Sequence, residues 1–174
     1  LHHQAYERIF TRLGLHAIPV EASSGAMGGS DSVEFMVESP AGEDDVAVCG
    51  SCGYSANVER ATSIIPEVEN RSETETLEKF ETPNIRTIEA LSQAGHLPEH
   101  QIKTLVYMVD GELSLILLRG DHQFQEQKFR DSTSAVEITP AEEDTIKKAL
   151  GASPGSLGAV GIEGIKTFAD PSLK

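Results

Sequence analysis

Lys103-Thr104-Leu105-Val106-Tyr107-Met108-Val109-Asp110-Gly111-Glu112-Leu113-Ser114-Leu115-Ile116-Leu117-Leu118-Arg119 sets two apolar runs on either side of Asp110-Gly111. Two-residue hairpin loops demand positive φ at their centre, which Gly accepts freely and Asp tolerates, so Asp-Gly between such runs is a strong hairpin signal. Residues 103–109 and 113–119 are therefore expected as paired strands. Upstream, Ile88 and Leu91 share a face of a helix whose N-cap is Thr87. Downstream, residues 126–129 open a further helix. Residues 140–150 read as another, with Thr139 as N-cap, Pro140 at the first helical position and Gly151 at its end. The small-residue loop Pro154-Gly155-Ser156-Leu157-Gly158 and a strand over residues 165–169 follow. Interleaved helices and strands predict an α/β fold, in the mixed α+β sense, of roughly 90–100 residues.

The first half of the chain reads differently. Tyr6, Ile9, Phe10 and Leu13 recur at helical spacing and Gly14 supplies a stop, which predicts an amphipathic helix over residues 4–13. Residues 17–21 and 33–37 read as short strands on either side of a Ser/Gly loop at 23–30, and residues 45–49 as a third strand. From residue 59 to 81 the composition turns acidic and polar, with Pro66 and the run Ser72-Glu73-Thr74-Glu75-Thr76, and periodicity fades. A boundary there predicts two domains, residues 1–66 and 67–174.

Composition bounds the function. The 174 residues carry 28 acids against 14 Lys and Arg, a formal net charge of −14. Nucleic acids are held largely by Lys and Arg that neutralise phosphates. Contact with such a polyanion is thus confined to a short end, or most of its affinity comes from elsewhere. No apolar run reaches membrane-spanning length and no charged-then-apolar leader is present, which predicts a soluble, cytoplasmic protein without membrane contact. Cys49 and Cys52 are the two cysteines. They are too few for a disulfide framework, and no second Cys pair or suitably spaced His pair completes a four-ligand zinc site. They are expected as two packed thiols. Gly28-Gly29-Ser30 has neither a dinucleotide-binding nor a P-loop pattern.

Several short matches occur in a fixed order. Tyr6-Glu7-Arg8-Ile9-Phe10-Thr11-Arg12-Leu13-Gly14-Leu15, the loop 25–30, Glu34-Phe35-Met36-Val37, Gly42-Glu43-Asp44 and Cys49-x-x-Cys52-x-Tyr54-x-Ala56-Asn57 together resemble part of the class II catalytic core of bacterial-type prolyl-tRNA synthetases. Thr87-Ile88-Glu89, Lys103-Thr104-Leu105, Arg119-Gly120-Asp121-His122 and Gly155-Ser156-Leu157-Gly158 resemble the editing domain inserted in those enzymes, which is similar to free-standing deacylases of mischarged tRNA. The resemblance implies an editing domain with a mixed β-sheet flanked by helices, after an incomplete piece of a class II antiparallel-sheet core. It implies hydrolysis of alanyl-tRNA for proline, with the tRNA acceptor end and the small amino acids alanine and proline as partners. It implies no metal or cofactor for that step. ATP and Mg²⁺ would serve the parent synthetase, expected as a homodimer. The class II ATP motifs and the anticodon-binding parts are absent from these residues, so aminoacylation is not expected of this chain alone.

The resemblance also distributes roles. Lys103 becomes the catalytic residue, an ammonium beside the ester where an oxyanion develops; by residue type alone it reads as an ordinary lysine at a strand end. Gly155, Ser156, Leu157 and Gly158 become the loop that holds the substrate and admits alanine but not proline, against the reading of a plain flexible turn. Asp121 and His122 are candidates for orienting substrate or water, or simply shape a turn, since the family chemistry relies more on a substrate hydroxyl than on a protein base. Gly28, Gly29, Ser30 and Glu34 correspond to the wall of the prolyl site. Three departures accompany these matches. Val33 stands where the core motif has His, residues 125–129 read Gln-Glu-Gln-Lys-Phe where the family has Asn-Glu-Val-Lys-Leu, and Ala159 replaces a loop proline, which predicts a softer pocket. A competing reading is a non-editing structural or tRNA-docking module.

Overall fold

A computed structural model of the chain describes residues 1–25, 32–65, 68, 78–155 and 157–173. Gly28, Gly29, Ser30, Pro66, the 72–76 run and Ser156 lie outside the described residues. The chain divides into two compact units, Leu1–Ile64 with Gln127–Phe129, and Ile65–Glu126 with Arg130–Lys174.

In the first unit, helix α1 (His2–Arg12) ends as the sequence predicts. Gly14 takes φ +73°, its N–H bonds Thr11 O, and Leu15 N–H reaches back to Phe10 O, which together close a Schellman turn. The helix lays His3, Tyr6 and Phe10 against Phe35 of strand β2 (Ser32–Val37), with ring centroids 5.1, 5.5 and 5.6 Å apart. Strand β1 (Ala17–Ala22) pairs antiparallel with β2 and supplies the buried Val20 and Ala22. The sheet runs β2-β1-β4-β3, where β3 is Val46–Val48 and β4 is Ser55–Asn57. It is not purely antiparallel, as the resemblance implied, because β1 and β4 meet in parallel at Glu21 and Ala56. Strand β4 escaped the sequence reading, since three residues are too few to show a period. Cys49 and Cys52 are free thiols in the β3–β4 turn, but Cys52 is exposed and Cys49 only half-buried, so they are not packed. Hydrogen bonds from Cys52 and Ser51 hold the Cys49 thiol below its usual pKa.

The second unit is a mixed sheet of order β7-β5-β6-β8 flanked by helices. At its centre β5 (Ile102–Val109) and β6 (Glu112–Arg119) form the expected hairpin. Val109 faces Glu112 in register, and Asp110 and Gly111 between them both take positive φ, +49° and +81°. The Asp110 carboxylate also accepts the N–H groups of Val136 and Glu137 at 2.9 and 2.8 Å, tying the hairpin tip to the start of β7 (Ile138–Pro140). Strand β8 (Lys166–Ala169) joins β6 in parallel. Val106, Leu115 and Ile146 form the core, with Leu157, Ala159, Ile162 and Ile165 packed against it. No described helix is long and apolar enough to cross a membrane.

Thr87 caps helix α2 (Ile88–Gln93), accepting Ala90 N–H at 3.1 Å. Helix α3 (Glu126–Thr133) begins where expected. Helix α4 (Glu143–Leu150) ends at Gly151 in the left-handed conformation but starts later than expected. Thr139 and Pro140 do not open it. They belong to β7, where Thr139 pairs with Met108, Pro140 pairs with Tyr107, and Ala141 N–H bonds Val106 O at 3.0 Å. An edge strand tolerates a residue without an N–H, so sheet pairing overrides the helix-start signal.

Gly120, just past β6, is held by sterics rather than by φ. Its N–H bonds Gln101 O at 2.8 Å, and a Cβ there would press into the Pro98 carbonyl and the Gln101 side chain.

Two backbone N–H groups hold the Asp110 carboxyl below the usual carboxylate range. A depressed folded pKa gives stability that is complete above about pH 4, the unfolded value, and is lost as pH falls through the folded value. Asp110→Asn, which keeps the turn geometry, should therefore melt below the parent at pH 7, the gap closing on acidification; thermal melts from pH 7 to 2 will show it. Gly120→Ala should lose roughly 1–3 kcal/mol in urea unfolding through overpacking. Gly158→Ala, where a Cβ meets nothing within 4 Å, should unfold close to the parent.

Candidate functional site, a cation-lined cleft

A cleft of about 890 Å³ opens within the second unit along the first half of β5. Its floor is Gln101, Ile102, Lys103, Thr104 and Leu105, and one wall is the turn from Thr82 through Arg86 into α2. Gly155, Leu157 and Gly158 also line it, with Gly155 close against Arg86. Phe80, His96 and His100 complete the rim.

Local chemistry fixes each wall. Thr82 O accepts Ile85 N–H and Asn84 takes φ +61°, so the chain turns sharply before the Thr87 cap starts α2. At the far end of α2, Gly95 takes φ +97°, its N–H bonds Ser92 O, and His96 N–H reaches Leu91 O. This Schellman turn delivers His96 to the rim. Gln101 then binds the pieces together. Buried at 7% exposure, its Nε2 donates to Ile88 O at 3.2 Å, to Ser92 Oγ at 3.2 Å and to His96 O at 2.7 Å. Its Oε1 finds no partner among the described residues. Next to Arg86, Gly155 takes φ +88°, a conformation that L side chains resist. Leu157 packs on the core and anchors that loop.

Electrostatically the cleft departs from the rest of the chain. Arg86 and Lys103 line it, and no Asp or Glu appears among its described lining residues, although the chain carries 28 acids. Neither cation takes part in an ion pair among the described residues. An anionic group that enters meets positive charge and, among the described lining residues, no carboxylate.

Of the residues singled out from sequence, Lys103, Gly155, Leu157 and Gly158 converge on this cleft, although Lys103 and Gly155 lie far apart in the chain. Asp121 and His122 do not line it. Asp121 makes a two-pronged contact with the buried Arg119, Oδ1 to Nε at 2.6 Å and Oδ2 to Nη2 at 2.9 Å, and the guanidinium holds its carboxyl below the usual range. The His122 ring lies 3.3 Å from Ser172 Oγ and 3.9 Å from Asp170. These contacts are what a structural turn needs. Glu34 is exposed on β2 opposite Val20, Val33 is exposed beside it, and both belong to the first unit. Ala159 packs against the core beneath the loop instead of lining the cleft. Sequence reasoning missed Phe80, Arg86, His96 and Gln101, because nothing in their spacing announces that a Schellman turn and a buried amide bring them together.

Comparison with known proteins places this geometry. The model of the aminoacyl-tRNA editing domain matches residues 82–174, the stretch that supplies nearly all of the cleft. The proline-tRNA ligase of Anaeromyxobacter sp. (strain Fw109-5) is 49% identical over 172 residues, covering 98% of this chain and 30% of the relative. That of Halothermothrix orenii is 40% identical over 171 residues, again 98% of this chain and 30% of the relative. The chain thus spans about 30% of the length of the curated relatives it matches. A solved structure described provisionally as a trans-editing enzyme for prolyl tRNA synthetase aligns over 51% of this chain and 57% of its own. At 19% identity and a TM-score of 0.46, that likeness carries no argument here. Through residues 82–174, the chain belongs to the aminoacyl-tRNA editing domain family.

Proposed function

We propose that the cleft hydrolyses the ester of alanyl-tRNA for proline, releasing alanine and free tRNA. The observation that carries this reading is the charge of the cleft, with Arg86 and Lys103 on its walls and no described carboxylate in a strongly acidic chain. A tRNA acceptor end is a polyanion that presents one ester. A local cationic cleft admits that end while the acidic remainder of the chain gives little affinity for the tRNA body.

In the reaction water adds to the ester carbonyl, the carbonyl carbon–oxygen bond to the ribose breaks, and the ribose oxygen leaves with a proton. The carbonyl oxygen carries negative charge in the transition state. Lys103, at the start of β5 beside the cleft, stabilises that charge, and the substrate's neighbouring ribose hydroxyl helps position the water. The left-handed Gly155 backbone and Leu157 set the wall against which the amino acid sits, and a small side chain fits where proline does not. Water is the only co-reactant this chemistry needs. Ligation of proline, with ATP and Mg²⁺, is proposed for a longer enzyme of which this chain would be part, working as a homodimer in the cytoplasm.

The test is the initial rate of alanine release from alanyl-tRNA for proline. The parent chain should release alanine well above the uncatalysed rate, leave prolyl-tRNA largely intact, and lose at least about 100-fold in Lys103→Ala, the scale of a lost oxyanion stabiliser. No release by a folded chain would instead favour a docking module. Release unchanged in Lys103→Ala would remove that residue from the chemistry.

A further inference from the structure

Phe80 and His96 form a stacked pair on the cleft rim that hydrolysis of the ester does not use. Their ring centroids are 4.6 Å apart and the planes are inclined by only 12°. Phe80 is 60% exposed, so the ring face turned away from His96 is open to solvent. An aromatic ring that gains no burial from the core and is backed by a second ring is built to accept a third flat group.

The inner ring of the pair is held in place. His96 is fixed by the Schellman turn at Gly95 and by the 2.7 Å hydrogen bond from Gln101 Nε2 to its carbonyl. Phe80 lies two residues before Thr82, where the cleft wall begins, and both rings share the cleft with Arg86 and Lys103. Bases stack on aromatic side chains irrespective of their hydrogen-bonding edges, while cations beside them hold the phosphates.

We propose that the open face of Phe80, backed by His96, is the stacking platform for the terminal adenine of the tRNA. The proposal rests on the deacylase reading above, because the adenosine that carries the ester is the base nearest the scissile bond. The platform holds the nucleoside while Lys103 and the Gly155 loop meet the ester, so the amino acid is presented from a fixed point. Binding energy gained there is equal before and during reaction, and its loss raises KM while kcat stays nearly constant.

Two measurements on the intact chain test this. In steady-state deacylation of alanyl-tRNA, Phe80→Ala should raise KM by about 5- to 100-fold, the range expected for one lost base stack, with kcat within about twofold; Phe80→Trp should restore KM. In proton NMR, adenosine 5′-monophosphate should shift the ring resonances of Phe80 in the parent, and ribose 5-phosphate should leave them in place. An unchanged KM in Phe80→Ala overturns the platform. So does a kcat loss without a KM change, or equal perturbation of Phe80 by the two phosphates. If the chain released no alanine, the nucleotide titration would still decide the platform by itself. Release that proceeds without any adenosine effect would discard the platform and leave the deacylase reading standing.

Discussion

One buried amide organises the second unit. Gln101 sits at the entrance to β5, and its side chain spends its donors on the first turn of α2, on Ser92 within that helix and on the carbonyl of His96 after it. Its own carbonyl accepts Gly120 N–H just beyond β6. A short helix is marginal by itself, since its few internal hydrogen bonds hardly offset the entropy of nucleation. Tethering α2 to the hairpin replaces that missing cooperativity with three directed contacts. It also fixes the distance between the Arg86 turn and Lys103, and so the width of the cleft.

The charge of the molecule and the charge of its site have opposite signs. A net charge of −14 disfavours indiscriminate binding of nucleic acid, whereas the cleft holds two cations and no described carboxylate. Screening over about 10 Å at ordinary ionic strength separates these two regimes, so a ligand feels the cleft chiefly once it is close. Such a surface suits a protein that needs only the end of a polyanion. On the proposed deacylase reading, specificity rests on geometry inside the cleft.

Much of the architecture was legible because it depends on local rules. Asp110-Gly111 marks a turn whose two positive φ angles few other dipeptides accept, Thr87 announces a cap, and Gly14 and Gly151 announce helix ends. Pro140 misled because its preference for a helix start and its tolerance at a sheet edge look alike in sequence, and only the pairing partner on β5 decides between them. Strand β4 was too short to show a period. In the site, Lys103 and the Gly155 loop followed from resemblance, while the aromatic pair and Arg86 were hidden in a segment whose arrangement depends on contacts across the fold. Asp121 attracted notice as a polar residue after a strand, yet its geometry answers to a buried guanidinium.

The parallel seat of β8 makes the sheet depend on its last strand. The hairpin closes through a two-residue turn, but β6, five of whose eight residues are buried, has its second edge covered only when residues 166–169 arrive, after all of α3, β7 and α4. A nascent chain, or one cut between α4 and β8, would therefore leave a row of unpaired N–H and C=O groups along Ser114, Leu115, Ile116 and Leu117. Such an open edge is a template for pairing between molecules. The strand that covers this edge thus doubles as a guard against aggregation, and any shortened form of the protein that is to escape edge-to-edge pairing must keep it.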